Sequence, residues 1–491
     1  MHNLLDFVCN NLNTRQKIID VGKGDKNRIF YKTDLILQAG VLSKRLIKQN
    51  VQKSDRVVLI ANNSFESVVA FLAISNIGAI VSMIPMKNTY VEIKKIMDKI
   101  KPKLILLNNG YTDLKKLTQI YGREVLVYGE SSFSDKEFSE YYNYREFGED
   151  DTPVSILFSS GTTNTPKGVV LPYRAYINNI VQIGEHIKLS EQDFYLAALP
   201  FSFIAGQITS IFAPLHFGSN VVICNSQNIK NIFSVIENYG ITKTNLVPTL
   251  LFRILHFIQP ADYNTSSIQF VLSGGAACST RLIQEMTEKF HIEIIEGYGS
   301  TEAGCGICIN DIKNPLTGSV GKVLPGHEIE ILQEEGNRNQ GIIKIKSDTM
   351  MLGYFDEKII NKDGWYLTSD IGYFNDDHFL HIVGRRDDVI KCCGEKVYLS
   401  DIQEIILSDR NVENAVVIGI EDEERNKIPV AFVKLVSKQA QTEFQSMVDL
   451  NFNRISIPQI VYVNEFPTTH SEKISYRMLE KLYKNTKKKR N

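Results

Sequence analysis

Between residues 24 and 107 the chain alternates short apolar runs with segments of helical period, and few architectures accept that rhythm. Residues 24–50 read as a short strand followed by an amphipathic helix, with Leu35, Ala39, Leu42 and Leu46 on one face. Residues 57–61 read as an apolar strand, 65–77 as helix, 79–84 as strand, 91–99 as helix and 103–107 as strand. Strands separated by helices of this length pair in parallel and need cover on both faces, so an α/β fold is expected. Residues 219–224, 243–247 and 270–273 extend the series, and a polar, acidic connection over 130–151 divides it. At 491 residues the chain exceeds one ordinary domain, and a 43% apolar content suffices to fill the cores.

Two uncharged stretches need a decision between membrane and interior. Residues 67–86 contain Ser75, Asn76, Gly78 and Ser82, with Gly78 read as a break between a buried helix and a buried strand. Residues 194–229 are interrupted by Pro200, Gly206, Pro214 and Gly218. Both read as interior segments, so no integral membrane segment is expected. The first residues lack a basic region followed by a long apolar run, and no leader is expected either. A net charge of −1 excludes a global basic field for nucleic acid. The seven cysteines make no disulfide framework for a chain of this size, which points to a reducing, cytoplasmic compartment. Cys305 and Cys308 have C-x-x-C spacing, but no second pair or histidine stands at ligand distance, and they are read as buried or pocket-wall thiols.

The chemistry begins at residues 154–170. Val154, Ile156 and Phe158 alternate as a strand that opens into Ser159-Ser160-Gly161-Thr162-Thr163-Asn164-Thr165-Pro166-Lys167-Gly168. Hydroxyl groups around Gly161 and one nearby cation suit a polyphosphate. The spacing from Gly161 to Lys167 matches the P-loop, but Pro166 removes a backbone donor and Gly168 replaces the metal-binding hydroxyl, so this is a phosphate loop of another kind. A polar surface turn is the competing reading of any such cluster taken alone.

Three later segments supply what a phosphate loop lacks. Gly274-Gly275-Ala276-Ala277 follows an apolar strand and permits close backbone approach by a ligand. Glu296-Gly297-Tyr298-Gly299-Ser300-Thr301-Glu302 carries an aromatic face for a base, a hydroxyl for phosphate and a hard oxygen ligand for Mg²⁺. Asp370, with Arg385 some way on, provides a carboxylate for ribose hydroxyls and a cation for ribose or phosphate oxygens.

Together SSGTTNTPKG, EGYGSTEAG, YLTSDIGYF and GRRDDVIKCCGEKVYLSDIQEI resemble the adenylate-forming superfamily of acyl- and aryl-CoA synthetases, peptide-synthetase adenylation domains and luciferases. The resemblance runs over nearly the whole chain. It implies a large N-terminal α/β domain of covered mixed or parallel sheets, residues 1–386, and a small mobile α+β C-terminal domain, residues 387–491, hinged at Asp387. It further implies that Ser159, Ser160, Gly161, Thr162, Thr163 and Lys167 close over the β- and γ-phosphates of ATP. Gly275, Ala276, Glu296, Gly297 and Gly299 would frame the nucleotide, with Tyr298 stacked on adenine. Thr301 would meet the α-phosphate, Glu302 would hold Mg²⁺, and Asp370 and Arg385 would take the ribose.

In the tail, Pro467-Thr468-Thr469-His470-Ser471-Glu472-Lys473 resembles the family's catalytic-lysine loop, which makes Lys473 the bridge between substrate carboxylate and phosphate. Gly394 matches the loop that serves the thiol step. Phe203, Gly206, Val247, Gly275, Ala276, Gly304 and Cys305 would line the acid pocket. Ile204 stands near where amino-acid-activating relatives carry Asp, so a neutral aryl or aliphatic acid is expected rather than an α-amino acid. The implied reaction joins that acid to a thiol, either CoA or the phosphopantetheine of a carrier protein. A nucleotide-binding regulator on an inactive synthetase scaffold is the non-enzyme alternative.

Overall fold

The structure is a computed structural model that describes residues 3–22, 27–108, 125–128, 150–159, 167–225, 228–276, 278–333, 340–355, 363–392, 395–422, 425–452, 457–467 and 474–490. The strands expected in the first third are present as Arg56–Ala61, Ile80–Pro85 and Leu104–Asn108, paired in parallel. Helices Phe65–Asn76 and Tyr90–Ile100 connect them. Ser64 caps the first by accepting from the amide of Ser67. Thr89 and Glu92 form a reciprocal capping box on the second.

Among the described residues the strands form four sheets. One of seven strands runs Gly353–Tyr354, Lys167–Pro172, Pro153–Ser159, Ile80–Pro85, Arg56–Ala61, Leu104–Asn108, Val125–Tyr128. One of nine runs Lys322–Val323, Cys305–Ile309, Ile294–Ser300, Phe270–Ser273, Lys243–Asn245, Phe194–Ala197, Asn220–Cys224, Lys17–Val21, Arg28–Tyr31. Its interior strands are parallel, while Arg28–Tyr31 and Cys305–Ile309 pair antiparallel towards the two edges. Residues 243–247 were expected as a continuous strand, but the strand ends at Asn245 because Pro248 opens helix Pro248–Phe257 with Val247 as its N-cap.

The main core lies between these two sheets. Every residue of helix Phe65–Asn76 is buried, so it carries apolar residues all round, as a helix enclosed by two layers must. Phe71 packs edge-on or tilted against Tyr176, Phe201 and Phe212, with ring centroids 5.3–6.0 Å away. A chain of polar groups crosses this core. The Ser155 hydroxyl lies 2.7 Å from that of Tyr176, which donates to Gln207 Oε1 at 2.7 Å, and Gln207 Nε2 donates to the Phe201 carbonyl at 2.9 Å. Asn63 adds a second tie, donating to the Leu199 carbonyl and accepting from the Phe201 amide, each at 2.7 Å. These bonds satisfy buried groups and fix the 199–207 turn, which carries two of the expected acid-pocket residues.

Residues 194–229 resolve into strand Phe194–Ala197, a helical stretch over 204–216 that widens to a π-turn at Ile208–Phe212, and strand Asn220–Cys224. No helix among the described residues is long and apolar enough to cross a membrane.

The third sheet, His327–Gln333, Gly341–Ser347, Tyr366–Phe374 and Leu380–Arg385, is antiparallel and half covered. The fourth begins just after it. Strands Val389–Cys392, Glu395–Tyr398, Val412–Asp422, Asn426–Leu435 and Gln459–Tyr462 enclose their own core with helices Leu399–Leu407, Gln441–Asn451 and Tyr476–Arg490. The molecule is thus a large α/β body followed by a smaller α+β unit.

Lys243 and Asp193 form an ion pair of 2.8 Å inside the nine-stranded sheet, with both side chains almost fully buried. Asp193 also accepts from the Ser190 amide and the Thr242 hydroxyl. Lys243→Met leaves the carboxylate buried without its cation, and unfolding in urea should show a loss of about 3–5 kcal/mol. A change below ~1 kcal/mol would mean that the remaining donors carry the charge unaided.

Candidate active site

The expected ribose pair is set by strand register. In the hairpin of Tyr366–Phe374 with Leu380–Arg385, Asp370 stands directly opposite Arg385, and Arg385 Nε lies 3.5 Å from Asp370 Oδ1. Thr368 steadies the turn of this strand, accepting from the Asp370 amide at 3.0 Å and donating to the Ile343 carbonyl at 2.8 Å. The second Asp370 oxygen accepts from the Tyr298 hydroxyl at 2.6 Å, and burial together with the adjacent carboxylate pushes that phenol well above its ordinary pKa. Tyr298, expected as a flat surface for a base, therefore also orients Asp370 through its hydroxyl.

Tyr298 belongs to strand Ile294–Ser300, whose first half is buried and whose second half emerges towards the site. The strand turns through residues 301–304 into Cys305–Ile309, forming a hairpin. At Gly299 a Cβ would fall on the Cys305 carbonyl, so the two backbones meet there only because that side chain is missing. At Gly304, φ is +87° and a Cβ would strike the Thr349 carbonyl. The Ala303 carbonyl accepts from the Thr349 hydroxyl at 2.5 Å, and the Glu302 carbonyl from the Met351 amide at 2.9 Å. Residues 349–351 thereby hold the turn that presents Thr301 and Glu302.

The Glu302 carboxylate accepts from the Tyr354 hydroxyl at 3.0 Å, and the Lys167 ammonium lies 4.9 Å from the centre of the same ring. Lys167 opens strand Lys167–Pro172, opposite Ser159 at the end of Pro153–Ser159. The expected phosphate loop thus joins two antiparallel strands, whereas a P-loop leads from strand to helix. Ser160, Gly161, Thr162 and Thr163 lie outside the described residues, as do Gly394 and Lys473. Asp387 falls in the 3-10 turn Arg386–Asp388, between the third and fourth sheets.

Gly275 and Ala276 lie on the exposed loop after strand Phe270–Ser273. Gly297 on the neighbouring strand approaches this loop closely, because a Cβ at Gly274 would meet the Gly297 carbonyl at 2.9 Å. Of the expected acid-pocket residues, Phe203 precedes helix Ile204–Gln207, Gly206 lies within it, and Val247 caps helix Pro248–Phe257. Cys305 and Cys308 belong to one strand but different cores. Cys305 packs between the large sheets, Cys308 against Ile343 and Ile345, and burial pushes the Cys305 thiol up to about 12. Cys9 and Cys278 are likewise free thiols.

Two residues of this constellation escaped the sequence reading. Tyr354 sits in the two-residue strand Gly353–Tyr354, too short for any periodic signal, and Tyr366 lies with its hydroxyl 3.5 Å from that of Tyr354.

A sequence profile described as AMP-binding enzyme matches residues 15–355, and one described as AMP-binding enzyme C-terminal domain matches residues 401–473. The chain belongs to the AMP-binding enzyme family. Similar members of the family include 4-coumarate–CoA ligase 2 of Nicotiana tabacum, 28% identical over 483 residues that span 92% of this chain and 89% of that one. A 2-succinylbenzoate–CoA ligase of Bacillus pumilus is 27% identical over 462 residues, 91% of this chain and 92% of that one. The o-succinylbenzoate CoA synthetase of Bacillus subtilis, solved with its acyl-adenylate intermediate, shares the fold with a TM-score of 0.85 at 23% identity, over 98% of each chain. The profile includes the residues from Lys167 to Tyr354 that surround Glu302 in this AMP-binding enzyme.

Glu296 lies on the buried half of strand Ile294–Ser300. Its carboxylate is buried, accepts from the Gly318 amide at 3.3 Å, and burial raises its pKa from 4.5 to about 7. The folded pKa exceeds the unfolded one, so the folded state retains a proton between these values, and stability falls as pH rises from 4.5 through about 7. Glu296→Gln should abolish that slope and gain up to ~3 kcal/mol relative to wild type between acid and mildly alkaline pH. Urea unfolding across this range checks it; parallel pH profiles for the two proteins would show that Glu296 ionises normally.

Proposed function

We propose that this AMP-binding enzyme activates a carboxylic acid with ATP and transfers the acyl group to the thiol of CoA. The observation that carries the reading is the convergence of two charged pairs on one family framework: Asp370 with Arg385 under the Tyr298 hydroxyl, and Glu302 with Lys167 across Tyr354. The first pair presents carboxylate oxygens suited to ribose hydroxyls. The second presents a cation suited to the β- and γ-phosphates beside an anion suited to a divalent metal.

In the first half-reaction a carboxylate oxygen bonds to the α-phosphorus of ATP and the bond to the β-phosphate oxygen breaks, giving acyl-adenylate and pyrophosphate. Two anions must meet, so the site has to supply positive charge and an in-line geometry. Lys167 serves the departing pyrophosphate. Thr301 serves the α-phosphate, and Lys473 bridges it to the acid. In the second half-reaction the thiol sulfur attacks the acyl carbon, its proton is lost, and AMP leaves.

Among the described residues no three His, Cys, Asp or Glu side chains gather around a cation-sized site. A single carboxylate from Glu302, completed by phosphate oxygens and water, fits the way Mg²⁺ is held beside polyphosphates. Bound there, Mg²⁺ would offset phosphate charge. Asp387 acts as the hinge between domains 1–386 and 387–491, a role supported by the change of sheet between Arg385 and Val389. The small C-terminal domain then moves to bring Gly394 to the thiol. The apolar or small residues Phe203, Gly206 and Val247 favour a neutral aryl or aliphatic acid. The free thiols favour a cytoplasmic setting. The names of the 4-coumarate and 2-succinylbenzoate relatives favour CoA over a carrier protein as acceptor.

The test is a panel of aryl and aliphatic acids, reading pyrophosphate release with and without CoA. Acid-dependent release is expected, with AMP and an acyl-CoA thioester accumulating together when CoA is present. Lys473→Ala should suppress adenylation by about 10²–10³-fold while sparing thioester formation from a supplied acyl-adenylate. Asp370→Ala should raise the KM for ATP about tenfold or more. Release independent of any acid, or normal adenylation by the Lys473 variant, would sink the assignment.

A further inference from the structure

Tyr354 touches both charged groups on the phosphate side of the site, although no motif marks it. Its short strand Gly353–Tyr354 pairs antiparallel with the strand that Lys167 opens, Gly353 opposite Val170 and Tyr354 opposite Val169. The pairing is reinforced on either side, by the Leu352 amide donating to the Val170 carbonyl at 2.9 Å and the Phe355 amide to the Gly168 carbonyl at 2.7 Å. The ring is therefore fixed by backbone bonds to the exit of the phosphate loop, while its hydroxyl reaches the turn carrying Glu302.

Lys167 and Glu302 have opposite charges, and nearby opposite charges tend to neutralise each other directly. A direct pair would satisfy both and leave neither fully available to a ligand. An aromatic side chain between them changes the outcome. The negative face of the ring attracts the ammonium and its hydroxyl donates to the carboxylate, so each charge is steadied by a neutral group. Among the described residues the Tyr354 hydroxyl is the one side-chain donor to the Glu302 carboxylate, and the Tyr366 hydroxyl lies 3.5 Å from that of Tyr354.

We propose that Tyr354 is a positioning residue that separates Lys167 from Glu302 and presents them independently, Lys167 to the polyphosphate and Glu302 to its divalent metal. The proposal rests on the ATP-using reading above. It assigns to the hydroxyl an effect on metal-linked binding only, and to the ring an effect on nucleotide binding with or without metal.

Isothermal titration of the full chain with α,β-methylene-ATP, in EDTA and across a series of Mg²⁺ concentrations, separates the two effects without requiring turnover. Tyr354→Phe keeps the ring and removes the hydroxyl. It should raise the Mg²⁺ concentration for half-maximal binding about 3–10-fold and leave affinity in EDTA within about twofold. Tyr354→Leu removes ring and hydroxyl, and should weaken binding in both conditions by about tenfold. In a Glu302→Gln background, Tyr354→Phe should add no further Mg²⁺ effect, because the partner it orients is already neutral.

If the Phe variant does not fold, Tyr354→His supplies the reading. It keeps an aromatic ring but lacks the phenol hydroxyl that reaches Glu302, and should keep the EDTA affinity while raising the Mg²⁺ requirement. An unchanged Mg²⁺ midpoint in the folded variant, an equal loss with and without metal in Tyr354→Phe, or multiplying effects of Tyr354→Phe and Glu302→Gln would overturn the proposal. Analogue binding by wild type that turns over no acid would count against the proposed activity while leaving the Tyr354 reading intact. No binding by wild type would overturn both.

Discussion

A parallel sheet covered on both faces has no room for reactive side chains along its strands, and most of this molecule follows from that restriction. In the nine-stranded sheet the buried parts of Phe270–Ser273 and Ile294–Ser300 are apolar until their last residues, Ser273 and Glu296, and polar residues collect where the chain leaves the carboxyl end. Gly275, Ala276, Tyr298, Thr301 and Glu302 all lie at or beyond those ends. Crevices outside the carboxyl ends of parallel strands are where open α/β sheets place their ligands. The antiparallel additions, Cys305–Ile309 on one sheet and Lys167–Pro172 on the other, are the short returns that bring the chain back past the crevice.

The site built there is held by hydrogen bonds between charged and neutral groups more than by direct ion pairs. Asp370 has one oxygen near Arg385 and the other on the Tyr298 hydroxyl, and Glu302 rests on the Tyr354 hydroxyl. Phenols suit this position because each offers one donor and a rigid apolar body that fills space. Glu296, a few residues before Glu302 on the same hairpin, shows the opposite case. Enclosed, with the Gly318 amide as its one hydrogen-bond donor among the described residues, it keeps its proton to about neutral pH. Within one hairpin, depth of burial thus separates a carboxylate suited to a cation from one that behaves as a buried neutral group.

Much of this was legible in the chain. Strands 57–61 and 270–273 and helix 65–77 were located to within a residue, because apolar runs of that length bounded by Gly, Asn and Ser have few alternatives. The strand expected over 243–247 was overextended, since the proline that ends it sits one residue beyond an apolar pair that looks strand-like. Cys305 and Cys308 looked like a pair in sequence, but three residues along a strand lead to opposite faces and here to separate cores. Asp370 and Arg385 were both picked out, although only the hairpin register sets them opposite each other.

The amino-acid sequence by itself determined the alternation of strands and helices, the burial of its uncharged stretches and the identity of the groups proposed to meet phosphate, ribose and metal. Those properties depend on composition and spacing over a few turns of chain. Tertiary structure decided which of these groups face one another, how deep each lies, and that Tyr354 touches both Lys167 and Glu302. These depend on contacts between residues 15 to 187 positions apart, made through backbone pairing and packing, and no local pattern encodes them.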